Sequence, residues 1–217
     1  MNDNYELVDL LLSQKNIKID NKCFIKCKNL KQISIPSTIS EIGRKAFFGC
    51  TSLAQIVIPS SVTKIGDYAF HGCSSLTQIS IPSSVTSIGK RAFYKCILLK
   101  EISIPSSVTI IGNSCFRGCS SLNQISLPPS IKIIGKRNFS GCSSLRQITI
   151  PSSVTLIDEY AFYGCTLLAQ ITILSSVTSI GNHAFEGCLS LTQITIPSSF
   201  AKFDKDTVPQ STKIVYT

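Results

Sequence analysis

The sequence predicts a solenoid, mostly β, and three observations carry that prediction. Eight cysteines, Cys27, Cys50, Cys73, Cys96, Cys119, Cys142, Cys165 and Cys188, stand on an uninterrupted 23-residue lattice. A phenylalanine precedes each by three residues, from Phe24 to Phe185, and a leucine follows each by three, from Leu30 to Leu191. A fixed period of this length marks one supersecondary unit repeated, whose stacked copies close a core that no single copy can bury. The expectation is one domain over 1–217, with a degenerate N-terminal cap at 1–19, eight repeats over 20–204 and a C-terminal cap strand at 205–217.

Each column of the consensus I-P-S-S-V-T-x-I-G-x-x-A-F-x-G-C-x-S-L-x-x-I-x has a physical task. Isoleucines two apart, Ile33 with Ile35 and on to Ile194 with Ile196, are the core-facing residues of a short strand. One strand per repeat, stacked at ~4.8 Å, makes a parallel sheet about 40 Å long. Proline then stops the ladder in seven of eight repeats, from Pro36 to Pro197, with Leu174 the exception. The Ser-Ser pair favours a turn, and pairs such as Val62 with Ile65 return the chain to the core from another wall. Gly43, Gly66, Gly89, Gly112, Gly135 and Gly181 read as corners that use glycine's backbone freedom, with Asp158 once in their place.

Burial of a large apolar side chain contributes roughly 1.5–3 kcal/mol, which offsets the ordering entropy of a repeat only when neighbours stack. Leu7, Leu10 and Leu12 read as a degenerate first repeat, and Phe200, Phe203, Val208 and Ile214 as the closing one.

Composition excludes several classes. At 43% hydrophobic and 15% charged the chain is too apolar for disorder, and its apolar runs are broken too often for a transmembrane segment. Acidic Asp3, Glu6 and Asp9 precede the apolar run Leu10 to Leu12, the reverse of a secretory leader. With a ladder of reduced cysteines this points to a cytoplasmic or nucleocytoplasmic protein. The one glycosylation sequon, at Asn138, abuts a lattice phenylalanine and reads as half-buried. The net charge of +9 is concentrated early, where Lys15, Lys18, Lys22, Lys26, Lys28 and Lys31 face only Asp20.

Runs such as Ile104-Pro105-Ser106-Ser107-Val108-Thr109-Ile110-Ile111-Gly112 and Ala161-Phe162-Tyr163-Gly164-Cys165 resemble the BspA-like, or Treponema-type, leucine-rich repeat over about residues 20 to 204. The resemblance implies a right-handed leucine-rich-repeat solenoid with a concave parallel sheet, 3₁₀ or irregular turns around A-F-x-G-C, and no catalysis. It also implies a cell-surface alternative, an adhesin that binds extracellular matrix or host proteins.

No residue pattern points to a catalytic, metal or cofactor site. The lattice cysteines read as packed thiols, and Cys23 and Cys115 as stand-ins in an alanine column (Ala46, Ala69, Ala92, Ala161, Ala184). Cys23 and Cys27 lie four repeats from Cys115 and Cys119, roughly 19 Å at sheet spacing, too far to share a metal. His71 and His183 fall in different columns and suggest no acid–base constellation.

What varies is the pair after the glycine. Arg44, Lys45, Tyr68, Lys90, Arg91, Lys136, Arg137, Tyr160 and His183 form a candidate binding ridge, with Tyr94 and Tyr163 beside it. Its basic pairs recur every second repeat, but the aromatics do not interleave tightly with them, which ranks nucleic acid last. On the sheet's outward face, Gln55, Gln78, Gln124, Gln147 and Gln170 run beside a Ser/Thr column, a uniform ladder suited to a long partner or to strand addition. The expected function is a non-catalytic protein-interaction scaffold. The other partners weighed are an intracellular enzyme such as a phosphatase, whose docking motif Lys213-Ile214-Val215-Tyr216 resembles, an anionic lipid, and a second copy pairing at an exposed solenoid end.

Overall fold

The computed structural model describes residues 18–200 and 207–217. Leu7, Leu10, Leu12 and Phe203 lie outside those residues. Most of the described repeats contribute two strands, one more than the isoleucine spacing predicts. Three-residue strands at Gln32–Ser34, Gln55–Val57, Gln78–Ser80, Glu101–Ser103 and Gln124–Ser126 form one parallel sheet in strict 23-residue register, Ile33 over Ile56 and Ile102 over Ile125. Two-residue strands, from Lys18–Ile19 through Glu41–Ile42, Lys64–Ile65 and Ser87–Ile88 to Ile110–Ile111, form a second. Beyond them Ile133–Ile134, Leu156–Ile157 and Ser179–Ile180 continue the second wall, and Gln170–Thr172, Gln193–Ile196 and Lys213–Tyr216 the first. Among the described residues there is no α-helix.

The third wall, around A-F-x-G-C, is a stack of turns rather than a sheet. Its N–H groups alternate in destination. Phe47 and Gly49 donate forward to Ala69 and His71 of the next repeat at 2.8 and 2.7 Å, while Ala46, Phe48 and Cys50 donate back three residues. The alternation satisfies a buried backbone without secondary structure.

Inside, the eight lattice phenylalanines stack face to face, with ring centroids 5.1–5.6 Å apart from Phe24 to Phe185. The thiols do more than fill space. Each lattice cysteine from Cys50 to Cys188 is buried and donates its S–H to the phenylalanine carbonyl of the preceding repeat, as Cys73 does to Phe47 at 3.1 Å. Cys23 and Cys27, in the first described layer, are exposed, so the expectation of core positions fails for both. The second serine of Ser-Ser works similarly. Ser61, Ser84, Ser107 and Ser153 donate to the carbonyls of Ile39, Val62, Val85 and Ile131, one repeat back, at 2.6–2.7 Å. The hydroxyl oxygen of half-buried Ser176, in the repeat where Leu174 replaces proline, is buried without a partner.

The glycine corner needs a different explanation from conformational freedom. None of the six glycines there has a positive φ. A Cβ on Gly66 would stand 2.8–2.9 Å from the backbone of Ile42, Gly43 and Arg44 in the layer before it, so the column is glycine because layers touch there. Positive φ falls instead on two other columns. One is the glycine before cysteine, such as Gly72 at 72°; the other is the second residue after the corner, such as Tyr68 at 58°.

The stack has one interruption. Ile110–Ile111 and Ile133–Ile134 belong to separate sheets, and the segment Gln147 to Thr149 pairs with neither neighbour as a strand. At the second-wall break Pro129 replaces the first serine, and Lys132 the threonine whose hydroxyl elsewhere bonds the previous repeat, as Thr109 bonds Thr86; Gln147 to Thr149 keeps the residues of the paired strand Gln170–Thr172, and its sequence does not account for its unpaired state. At the C-terminal end Lys213–Tyr216 pairs in parallel register with Gln193–Ile196, and Phe200, Val208 and Ile214 pack on the core.

Candidate binding surfaces

The sheet face is built by alternation. In Gln-Ile-Ser/Thr the isoleucine is buried and its neighbours are exposed, so Gln55, Gln78, Gln124, Gln147 and Gln170 all project outward, with Glu101 in the same column. Beside them run Ser80, Ser103, Ser126, Thr149 and Thr172, all exposed, and Val57, which is 73% exposed. Two shallow open depressions lie along this face, one from Gln55 to Ser126 and one from Gln124 to Leu174.

The ridge forms where the turn wall meets the glycine corner. Its first column keeps Arg44 and Lys90 exposed and Lys136 half-buried. Its second column, Lys45, Tyr68, Arg91, Arg137, Tyr160 and His183, has left-handed backbone at φ 54–58°. Contrary to the sequence reading, aromatics and cations interleave closely. The Arg91 guanidinium lies 5.6 Å from the Tyr68 ring centre and 5.7 Å from that of Tyr94, and its Nη1 donates to the Tyr68 hydroxyl at 3.2 Å. Arg44 and Lys45 also approach Tyr68, and Arg137 covers Tyr160 at 4.7 Å.

Four members of this surface escaped sequence reasoning: Phe48, His71, Lys95 and Arg117. Phe48, His71 and Tyr94 stack at 4.4 and 4.6 Å, and Lys45, Lys95 and Arg117 sit against the stack. The signal was available, since all three rings follow a lattice phenylalanine by one residue. Burial holds the His71 imidazole below its usual value, and the charges of Arg91, Lys95 and Lys45 push the same way.

The two halves of the ridge differ electrostatically. Among the described residues the ion pairs are Lys136 with Glu159 and His183 with Glu186, both in the C-terminal half. A hydrogen bond from Lys136 holds the Glu159 carboxyl below its ordinary range. Tyr160 stacks on His183 at 4.8 Å in this half. In the N-terminal half, cations face rings instead of carboxylates. No group of three or more His, Cys, Asp or Glu among the described residues is placed to hold a metal, and none of their helices is long and apolar enough to cross a membrane.

Parallel strands in 23-residue register, a phenylalanine spine and a uniform exposed sheet define a leucine-rich-repeat solenoid. The chain belongs to the BspA-type leucine-rich repeat family, whose model matches residues 2–110 and 86–215 in six copies. Among solved structures it is similar to a leucine-rich repeat protein from Bacteroides ovatus, at 29% identity over 90% of this chain and 65% of that one, with a TM-score of 0.70. The chain thus spans just under two thirds of that protein's length. It is also similar to the leucine-rich repeat protein of T. pallidum, at 31% identity over 81% of this chain and 71% of that one, with a TM-score of 0.65. A search of curated proteins finds no match. The family is consistent with a protein-interaction scaffold, and its members are generally non-catalytic.

Proposed function

We propose that the protein is a non-catalytic scaffold that binds an extended protein segment along its sheet face. The observation that supports this is the repetition of an exposed Gln and an exposed Ser/Thr in most layers of the parallel sheet, with Glu101 and Val57 as the departures. Such a face offers similar donors and acceptors at most steps, which suits a long segment better than a compact ligand. Its depressions are too open to enclose a small molecule. The test is a pull-down from cell extract with a photo-crosslinking residue at Gln78 or Gln170, compared with one at Lys64 on the second wall. Partners crosslinked from the face and not from Lys64 support the reading; the reverse pattern defeats it.

The thiols do not choose a compartment. Burial pushes Cys50 and Cys119 up to about 12, so thiolate is scarce and oxidation slow in cytoplasm and cell surface alike. Labelling of intact cells separates the cytoplasmic reading from the adhesin.

A further inference from the structure

Ten of the described non-glycine residues have left-handed backbone, and six of them are Lys22, Lys26, Lys45, Arg91, Lys95 and Arg137. Such a conformation costs a residue with a Cβ about 1–2 kcal/mol, and glycine is its default occupant. Glycine does occupy the column of Lys26 and Lys95 in the other six layers, from Gly49 to Gly187. The chain therefore retains long cationic side chains where its own repeats show that glycine folds. Strain held at chosen positions points to function rather than packing.

A second observation shows what the cations face. In the N-terminal half they are braced against rings, Lys45 on Phe48, Arg91 between Tyr68 and Tyr94, and Lys95 and Arg117 on Tyr94. A ring fixes a cation's position without cancelling its charge, and a carboxylate would cancel it. Beside this stripe runs a shallow trough floored by Gly43, Gly66 and Gly89 and flanked by Arg44, Lys64 and Lys90. Its carboxylates are Glu41 and Asp67, and Asp67 Oδ1 already accepts the Lys90 N–H at 2.8 Å.

We propose that this stripe and trough bind a linear sulfated glycan. Cations stacked layer on layer along the solenoid axis match a linear polyanion, and a shallow floor of glycines between buried isoleucines leaves room for a chain of sugar rings. The rings of Phe48, His71 and Tyr94 spend their faces on one another, which leaves no platform for nucleobases.

The experiment measures binding of the whole protein to immobilised heparin, with oligothymidylate, polyglutamate and phosphatidylserine vesicles as parallel probes. Heparin is expected to bind most tightly, with affinity that falls as salt rises. Lys26→Gly with Lys95→Gly restores the column's own residue, so the fold is kept, and affinity is expected to drop by about tenfold or more for the two charges. Lys132→Gln with Arg146→Gln removes the same charge from exposed sites off the stripe and is expected to leave binding within about twofold, as screened distant charges do. Equal loss in both variants, no loss in the first, no heparin binding by the parent, or tighter binding of any other probe each overturns the proposal.

Discussion

The thiol of Cys96 donates to the main-chain carbonyl of Phe70, one repeat back, at 3.1 Å, and the same carbonyl accepts the N–H of Cys73 at the same distance. The thiol column therefore joins successive layers through the phenylalanine turn. Cys96→Ala removes the donor and leaves a small cavity, and a loss of about 1–3 kcal/mol is expected from chemical denaturation. Cys27→Ala, at an exposed position, is expected to change stability by less than about 0.5 kcal/mol.

The same column sets an alkaline limit. Burial raises the thiols of Cys73, Cys96, Cys142 and Cys165 above 9.0, the value expected in the unfolded chain, and Cys119 to about 12. Below pH 9 both states hold these protons and stability is indifferent to them. Above it the unfolded chain loses protons that the folded chain keeps, so stability falls as pH rises from 9 toward 12, by about 1.4 kcal/mol per unit for each such thiol. Melting temperatures measured from pH 7 to 11 are expected to bend downward near 9, with a shallower descent in Cys96→Ala. A flat profile would falsify the assignment.

Close layer contact makes the corner column unequal. Gly66→Ala sets a Cβ against the backbone of the preceding layer, whereas at Gly135 the nearest atoms are side-chain, Asn113 Oδ1 at 2.6 Å and Asn138 Nδ2 at 3.4 Å. Asn113 is exposed and free to swing aside. Gly66→Ala is expected to cost about 1–3 kcal/mol and Gly135→Ala less; equal melting temperatures would count against the packing explanation.

Leu174 is the one departure from the proline column, and its carbonyl still accepts the Val177 N–H at 3.0 Å as the prolines' carbonyls do. Leu174→Pro is expected to stabilise by about 0.4–1 kcal/mol by restricting the unfolded chain. Destabilisation would mean that this repeat has a backbone of its own.

The break between Ile110–Ile111 and Ile133–Ile134 removes strand pairing from the second wall at that layer, which is expected to lower local stability there. Amides of Lys132 to Gly135 are expected to exchange hydrogen faster than the equivalent Thr86 to Gly89. Pro129→Ser with Lys132→Thr, which restores the consensus, is expected to slow them toward the same rate.

Most of the fold was legible because a 23-residue repeat compares each residue with seven others in the same environment. Period, core columns and strand position follow from that comparison, and Phe47, Leu53 and Ile56 are buried as read. The second strand was not, since two residues such as Lys64 and Ile65 carry too little alternation to announce themselves. The corner glycines misled because one residue type answers two needs, left-handed backbone and close approach, and a letter does not say which. On the surface, the ridge pairs were visible as variation. Their interleaving with Phe48, His71 and Tyr94 was not, because those residues meet only across layers.

The side-chain ladders share a direction. Among the described residues, cysteine, serine and threonine donors that reach another layer's carbonyl reach one 21 to 26 residues earlier and none later. A repeat leaving the ribosome thus finds its acceptors already in place, and the chain can set behind itself like a zip closed from one end. Shortening it from the C-terminus removes donors together with their repeat, whereas shortening it from the N-terminus strands a thiol and two hydroxyls in the new first layer.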